Sequence, residues 1–393
     1  MTLLDIIISI GSFIIGFSYI NKLKFFSKKE KGLLFKLYLY HVLITVAFHF
    51  YLLSNGGDAL KYWNVSKKLS FSELTLLFEN GFGSEFMYIL NYIPSGVLDL
   101  DFFTGNILYG LLGFIGFTYF FKILKTLFDD IYILKKIKIF SVSIFPLFWF
   151  LPNLHFWSAG IGKDTILFFC IALFLYSMLN IRRRLFGLMI SVIFSLLIRP
   201  HITLFLFLGM GMGYALDKSV KSYQKIIFFL FFAVGIISMF GYVTNFIQLE
   251  SLDSSSIDQY TSQRASNLND SDTSSGLDVS QYSFPMKVFT YLYRPLFYDT
   301  SGGLSIISSF ENLLLLLFTL KIIRNKPFKG FKKSSFLIKG MLIFFILGTL
   351  AFSQILGNLG IMLRQKNMFI PVFFIFGYYL IAYNYNKKRK IIL

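Results

Sequence analysis

Residues 185–216 read LFGLMISVIFSLLIRPHITLFLFLGMGMGYAL, an apolar stretch broken once, at Arg199-Pro200-His201. One crossing of a hydrocarbon core ~30 Å thick takes ~20 helical residues, so the stretch is too long for one helix. Pro200 has no N–H to donate and its ring clashes with the preceding turn, so a helix stops there. Arg182–Arg184 precede the stretch, and Lys218, Lys221 and Lys225 follow it. A single crossing would put these clusters on opposite faces; a hairpin of two short helices keeps them together. The reading is the hairpin, and it sets the alternation of every other span.

The rest of the chain agrees on the solvent. Of 393 residues 55% are hydrophobic, 20% aromatic and only 15% charged, with mean hydropathy +0.66, where soluble domains carry roughly a quarter charged residues. No stretch has the composition of a soluble domain. Eleven apolar runs are long enough to consider as spans: 3–20, 36–54, 104–124, 139–153, 165–181, 185–199, 201–216, 226–247, 304–321, 336–355 and 367–386. The first lacks a basic segment before it and is not a cleavable signal peptide. Cys170 is the one cysteine, which excludes an intrachain disulfide and a CxxC site. A net charge of +18 would point to nucleic acid in a soluble protein, but here the basic residues sit between apolar runs, so no nucleic-acid partner is expected. One set of alternate connections, with the tail from Lys387, holds 28 of the 38 Lys+Arg and 4 of the 20 Asp+Glu. The positive-inside rule makes that face cytoplasmic. The expectation is an all-α polytopic membrane protein, a single transmembrane domain over 1–393 with about eleven spans, amino terminus outside and carboxyl terminus inside.

On this topology the mixed polar motifs collect outside. They are Gly56-Gly57-Asp58, the stretch from His155 through Trp157 to Lys163-Asp164, Arg199-Pro200-His201, Tyr293-Arg294-Pro295 to Asp299, and Leu363-Arg364-Gln365-Lys366. Guanidinium groups pair bidentately with phosphate and keep their charge. A carboxylate or imidazole beside them can take a proton from an incoming hydroxyl. Arg199, Arg294, Arg364, Lys163 and Lys366 are therefore candidate cations for a membrane-anchored diphosphate, Lys163 and Asp164 are candidates to position the acceptor, and His155, Trp157 and Asp299 complete the candidate substrate-binding set. Asp58 and His201 are the candidate bases. The plainer readings stand beside these: cations at helix ends snorkel to headgroups, and aromatic residues form interfacial belts. Arg199 is the hardest to dismiss, because an arginine between short helices in a bilayer calls for a partner or a wet cavity.

Other features have structural readings. Gly110, Gly113, Gly116 and the pair Gly209 and Gly213 fit close helix packing, and no strand precedes the latter as a phosphate loop would require. His41 and His49, inside the second span, read as helix-packing hydrogen-bonders, and Glu311 as either an interhelical partner or a site residue. The loop 55–103 contains an amphipathic or re-entrant helical region over 70–100. The loop 248–303 contains the Ser/Asp-rich segment 251–283, which lacks the apolar surface to fold alone and reads as a lid or a spacer. No metal cluster, Walker motif or serine elbow is present, and no cofactor is expected.

Together, Gly57-Asp58…Tyr62, Phe156-Trp157-Ser158…Gly162-Lys163-Asp164, Arg199-Pro200-His201, Tyr293-Arg294-Pro295 and Gly357-Asn358-Leu359-Gly360…Arg364 resemble bacterial Wzy-type polysaccharide polymerases and their EpsG-like relatives. The resemblance implies a glycosyltransferase of the bacterial cytoplasmic membrane. It would join polyprenyl-diphosphate-linked oligosaccharide units of O-antigen or capsule on the outer face, without a nucleotide sugar, with a chain-length regulator as a possible partner. It also implies diphosphate contacts at Arg199, Arg294 and Arg364. The rival is a flippase or transporter, which is expected to place charge at the bilayer midplane within repeated halves.

Overall fold

The computed structural model describes residues 1–223, 225, 226, 229, 230, 233, 276, 277, 279, 281–300 and 302–389. Most of the apolar run 226–247 and of the segment 251–283 lies outside these. The described chain is mostly helical, and its one sheet is a two-stranded hairpin. Five of its helices are long and apolar enough to cross a membrane, or six if a bent pair counts as one. The chain divides into two compact units, one of Met1–Ile131 with Trp149–Arg199, the other of Tyr132–Phe148 with Pro200–Leu393.

The first unit is built around α6 (Phe102–Leu127), whose direction the other helices can be read against. α1 (Leu3–Lys22) starts in a capping box of Thr2 and Asp5, which satisfies two of the N–H groups that any helix start leaves open. It runs parallel to α6, since Ser9 meets Thr104 at 3.3 Å and Tyr19 meets Thr118 at 3.2 Å. α2 (Lys28–Asn55) opens with the same device, Ser27 and Glu30, and runs the other way. Lys125 bonds Glu30 at 3.0 Å near one end, and Asn106 meets His49 at 3.3 Å towards the other. Between α2 and α6 the chain forms three short helices, α3 (Asp58–Lys68), α4 (Phe71–Asn80) and α5 (Ser84–Asn91), then a π-helical turn over Tyr92–Val97. Most of 70–100 is therefore occupied by helical turns.

The run 139–153 is not a helix, which corrects the expectation for that span. After α6 come a hairpin of β1 (Lys138–Ile139) and β2 (Val142–Ser143), a 3-10 turn over Leu147–Phe150 and the five-residue α7 (Pro152–Phe156). Pro146 and Pro152 interrupt any helix through this run. Ile144, Phe145, Phe148, Trp149 and Leu151 are buried inside protein, whereas Phe140, Val142 and Leu147 are exposed. The return along α6 is made ten residues later, by residues 149–161. Trp149 packs on Phe121 at 5.0 Å and the His155 ring stacks on Phe117 at 4.4 Å. The Ser158 and Ala159 carbonyls then press on Gly113 and Gly110, where an added Cβ would fall 1.9 and 2.9 Å from the oxygens. Ile161 ends the climb at Gly105. Irregular backbone is tolerated at membrane depth where protein covers it, and the glycine face of α6 provides the close fit.

α8 (Lys163–Met178) then runs parallel to α6, with Gly116 against Phe168 and the Lys122 ammonium 5.5 Å from the Tyr176 ring. α9 (Ile181–Ile198) returns beside it, Gly187 fitting against Leu173 and Ser177. Arg199 thus lies at the end of α9 opposite Arg182–Arg184.

In the second unit α10 (Pro200–Ala215) packs antiparallel on α14 (Phe336–Ile355). His201 meets Phe352 at 5.8 Å, and Gly209 and Gly213 fit against the backbone of Gly340. Asp217 caps α14, its Oδ2 accepting from the Phe336 N–H at 2.7 Å. α11 (Phe284–Tyr293) precedes α12 (Gly303–Arg324), and α13 (Pro327–Lys333) follows it. α15 (Leu359–Lys366) and α16 (Ile370–Arg389) form the bent pair, with 58° between them. α16 runs parallel to α12: Phe318 lies 5.5 Å from Tyr378, and Asn384 bonds the Asn325 carbonyl.

Candidate functional site

In the first unit the polar residues gather where α8 begins and α9 ends. The stretch Ala159-Gly160-Ile161-Gly162, with two glycines, turns the chain there. Asn106 Oδ1 accepts from the Ile161 N–H at 3.0 Å, and the Thr165 hydroxyl donates to the Gly160 carbonyl at 2.6 Å. This fixes Lys163 and Asp164 in the first turn of α8, the end at which a carboxylate is favoured. Arg199 Nη1 reaches Asp164 Oδ1 at 3.0 Å, with the side chains only 11% and 6% exposed. Two largely buried charges joined this way are costly to separate, because either one left alone loses its counter-charge. Lys163 Nζ donates to Ser84 Oγ at 2.9 Å and lies 5.8 Å from the Tyr62 ring. The Gly83 N–H donates to the Leu197 carbonyl at 2.8 Å. The α3–α5 layer is therefore tied to the end that carries the ion pair.

Asp58 opens α3 after Gly56 (φ 72°) and Gly57 (φ 134°), a backbone that favours glycine, and its side chain is exposed. Trp157 is half-buried, edge-on to Phe156 at 5.0 Å. His155 corrects its expected place at the outer surface: it is fully buried. Its Nδ1 faces His41 Nδ1 at 2.8 Å, its Nε2 donates to the Trp149 carbonyl at 2.7 Å, and His41 Nε2 lies 3.0 Å from the Gly110 carbonyl. The pair is a bolt between α2, α6 and the irregular return.

In the second unit Arg294 follows α11. Its Nε and Nη2 donate to the two oxygens of Asp299 at 3.0 and 2.5 Å, and Nη1 donates to the Tyr282 hydroxyl at 3.2 Å. Asp299 Oδ2 also accepts from the Leu296 N–H at 2.8 Å, which closes the loop around the bidentate pair. Lys366, expected at the rim, is instead recessed and only 3% exposed. Its ammonium donates to Asn312 Oδ1 at 2.5 Å, the Leu292 carbonyl at 3.2 Å and the Arg294 carbonyl at 3.5 Å. Asn312 Nδ2 in turn donates to the Pro295 carbonyl at 2.8 Å. Asn312 lies nine residues into α12, or ~14 Å along its axis at ~1.5 Å per residue. All three ammonium hydrogens are engaged, so Lys366 holds the Arg294 loop rather than offering its charge to a ligand. Arg364 is half-exposed on α15, and the His201 ring lies against Phe205 at 6.2 Å and Phe352.

Compared with protein-family models, curated proteins and solved structures, the chain matches none.

Arg199, Asp164 and Lys163 are brought together in the first unit, and Arg294, Asp299 and Lys366 in the second. The two candidate bases are divided between the units, Asp58 in the first and His201 in the second. Among the described residues no three His, Cys, Asp or Glu side chains group as a metal site requires. Sequence reasoning missed Ser84, Tyr282 and Asn312. Asn312 carried a signal, since a polar side chain beside Glu311 inside an apolar helix is expensive in lipid and asks for a partner.

Proposed function

We propose that this protein is an integral membrane glycosyltransferase of the bacterial cytoplasmic membrane. It joins polyprenyl-diphosphate-linked oligosaccharide units on the outer face, as an O-antigen or capsule polymerase does. The amino terminus is outside, the carboxyl terminus is inside, and the chain crosses the bilayer about eleven times, with 149–161 replacing 139–153 as the fourth crossing. Arg199, Arg294 and Arg364 hold diphosphate oxygens, and Asp58 or His201 takes the acceptor hydroxyl's proton. The hydroxyl oxygen then bonds to the donor's anomeric carbon as the bond from that carbon to the diphosphate breaks, and the lipid diphosphate departs.

The observation that carries this reading is the Arg199–Asp164 pair. An arginine and a carboxylate meet at the break between two short helices, at the end opposite the basic cluster Arg182–Arg184. A diphosphate can take over the guanidinium there through a bidentate pair of hydrogen bonds. Gene deletion, read on a polysaccharide gel, tests it: single repeat units should remain on the acceptor while longer chains vanish. Arg199→Ala should reproduce that loss with the protein still in the membrane, and normal ladders from this variant would refute the role.

One observation favours a transporter instead. Two neutral imidazoles carry two ring hydrogens, yet the contacts among His41, His155, Trp149 and Gly110 ask for three. A titratable pair beside irregular backbone at membrane depth is what a proton-coupled carrier would use. Lipid-linked units trapped on the cytoplasmic leaflet of the deletion strain would favour that reading.

A further inference from the structure

The two most exposed large apolar side chains among the described residues are Phe140 at 83% and Phe328 at 82%. Both exceed every apolar residue on the membrane-length α1, and both sit in short basic elements of the second unit. Phe140 is at the tip of the β1–β2 hairpin, whose register pairs Ile139 with Val142 and leaves Phe140 and Ser141 as the turn. Those two residues have φ 44° and 68°, the left-handed region that hairpin turns fill with Asn-Gly and a bulky aromatic residue avoids. Such a backbone persists only where its surroundings hold it. Here it aims a phenyl ring away from the protein. Phe328 is in the first turn of α13, where Pro327 presets the helix and Lys326 before it is also left-handed, at φ 52°.

The two elements lie at the same end of the unit. Phe145 and Phe148, just after the hairpin, pack on Tyr378 and Phe318, and β1 touches α12. Gly330 of α13 packs on Leu380 and Tyr383. Both therefore hang from the carboxyl-terminal halves of α12 and α16. The charge is of one sign. Lys135, Lys136 and Lys138 flank Phe140, while Lys326, Lys329, Lys332 and Lys333 surround Phe328; all are exposed, and neither element contains a carboxylate.

We propose that this end of the second unit is a docking surface for anionic phospholipid headgroups. Phe140 and Phe328 are wedges seated in the interfacial layer, and the lysines around them bind lipid phosphates. Polybasic segments next to a bilayer are attracted to anionic lipid over about a Debye length, and phenyl rings add burial at the boundary of headgroup and acyl chain. The surface is independent of the sugar chemistry, and of which face of the membrane the unit presents.

Cys170 is fully buried, so an introduced cysteine is labelled selectively. The full chain carrying Phe140→Cys or Phe328→Cys is tagged with a polarity-sensitive fluorophore and reconstituted in vesicles of phosphatidylcholine, with or without phosphatidylglycerol. In phosphatidylglycerol vesicles, brominated acyl chains should quench both labels strongly and iodide weakly. Raised salt, or glutamine at Lys135, Lys136 and Lys138, should reverse that balance at position 140. Val142→Cys, which keeps Phe140 in place, should give the same pattern and covers any effect of losing the ring. Ile10→Cys on α1 calibrates a lipid-facing position. Labels quenched by iodide whatever the lipid overturn the proposal, as does bromine quenching that is equal in pure phosphatidylcholine and insensitive to salt.

Discussion

Among the described residues each unit buries an arginine–aspartate pair and has a helix lined with glycine, and the two units use these parts in opposite ways. In the first, Arg199 and Asp164 come from different helix ends far apart in sequence, and the glycines of α6 receive irregular backbone. In the second, Arg294 and Asp299 are five residues apart in one loop, and the glycines of α10 receive another helix. Long-range pieces make the first unit's end a place where distant segments must all be right at once. Local pieces make the second unit's loop a preformed grip. A ligand that displaces Asp164 unlinks two helix ends, whereas one that displaces Asp299 only reshapes a loop.

The glycine faces break the comparison most sharply. Gly113→Ala sets a Cβ 1.9 Å from the Ser158 carbonyl oxygen, a clash that neither α6 nor the tightly packed 149–161 segment can relieve. Little monodisperse protein should survive size exclusion in detergent. At Gly209 the nearest atoms to an added Cβ are 2.9 Å away, at the Gly340 carbonyl and Phe344. Two helices can part slightly there, so Gly209→Ala should fold and lose about 1–3 kcal/mol, the usual range for overpacking. Equal outcomes would erase the distinction between the two seams.

The ion pairs give the next comparison. Asp164→Ala leaves Arg199 largely buried with its counter-charge gone, which costs about 3–5 kcal/mol for a broken buried pair. Asp299→Ala leaves an equally buried Arg294 with its bond to Tyr282 alone, and the same rule gives about 3–5 kcal/mol. Thermal unfolding of purified variants in one detergent measures both. A larger loss at Asp299 would mean that the local loop, not the long-range link, carries the stability.

The same contrast explains what the sequence let one read. Helix existence follows from apolar length, so α1, α2, α6, α12 and α14 were legible from their runs, and the break at Arg199-Pro200 from the proline. The run 139–153 was misleading because apolar content does not say how the backbone runs. Pro146 and Pro152 were the available warning. Arg199 and Asp164 were visible as candidates, yet their pairing depends on where 149–161 returns along α6, which no local pattern encodes. Lys366 looked like a rim cation because its neighbours are polar. Its recess is set by Asn312 on another helix and by the end of α11, and only the packed unit brings them together.

The smallest effect concerns the far end of the second unit's glycine seam, where Asp217 ties the loop after α10 to the start of α14. Burial pushes its carboxyl up, but bonds from the Ser219 N–H and hydroxyl and from the Phe336 N–H, together with the Lys339 charge, outweigh this and hold it below the usual carboxylate value. A group with a depressed folded value stabilises the fold above its unfolded value, near 4, and loses that contribution as the pH falls through the folded one. Asp217→Ala removes a helix cap and should cost about 1 kcal/mol at neutral pH. The gap between wild type and variant should stay constant from neutrality down to about pH 5, shrink as the pH falls through about 4, where the unfolded carboxyl protonates, and close only below the lower folded value, where the carboxyl protonates in the folded protein too. Denaturant melts at a series of pH values read that gap directly. A gap that persists undiminished in acid would mean that the cap acts through its shape rather than its charge, and the seam's end would then be as local in origin as the Arg294 loop.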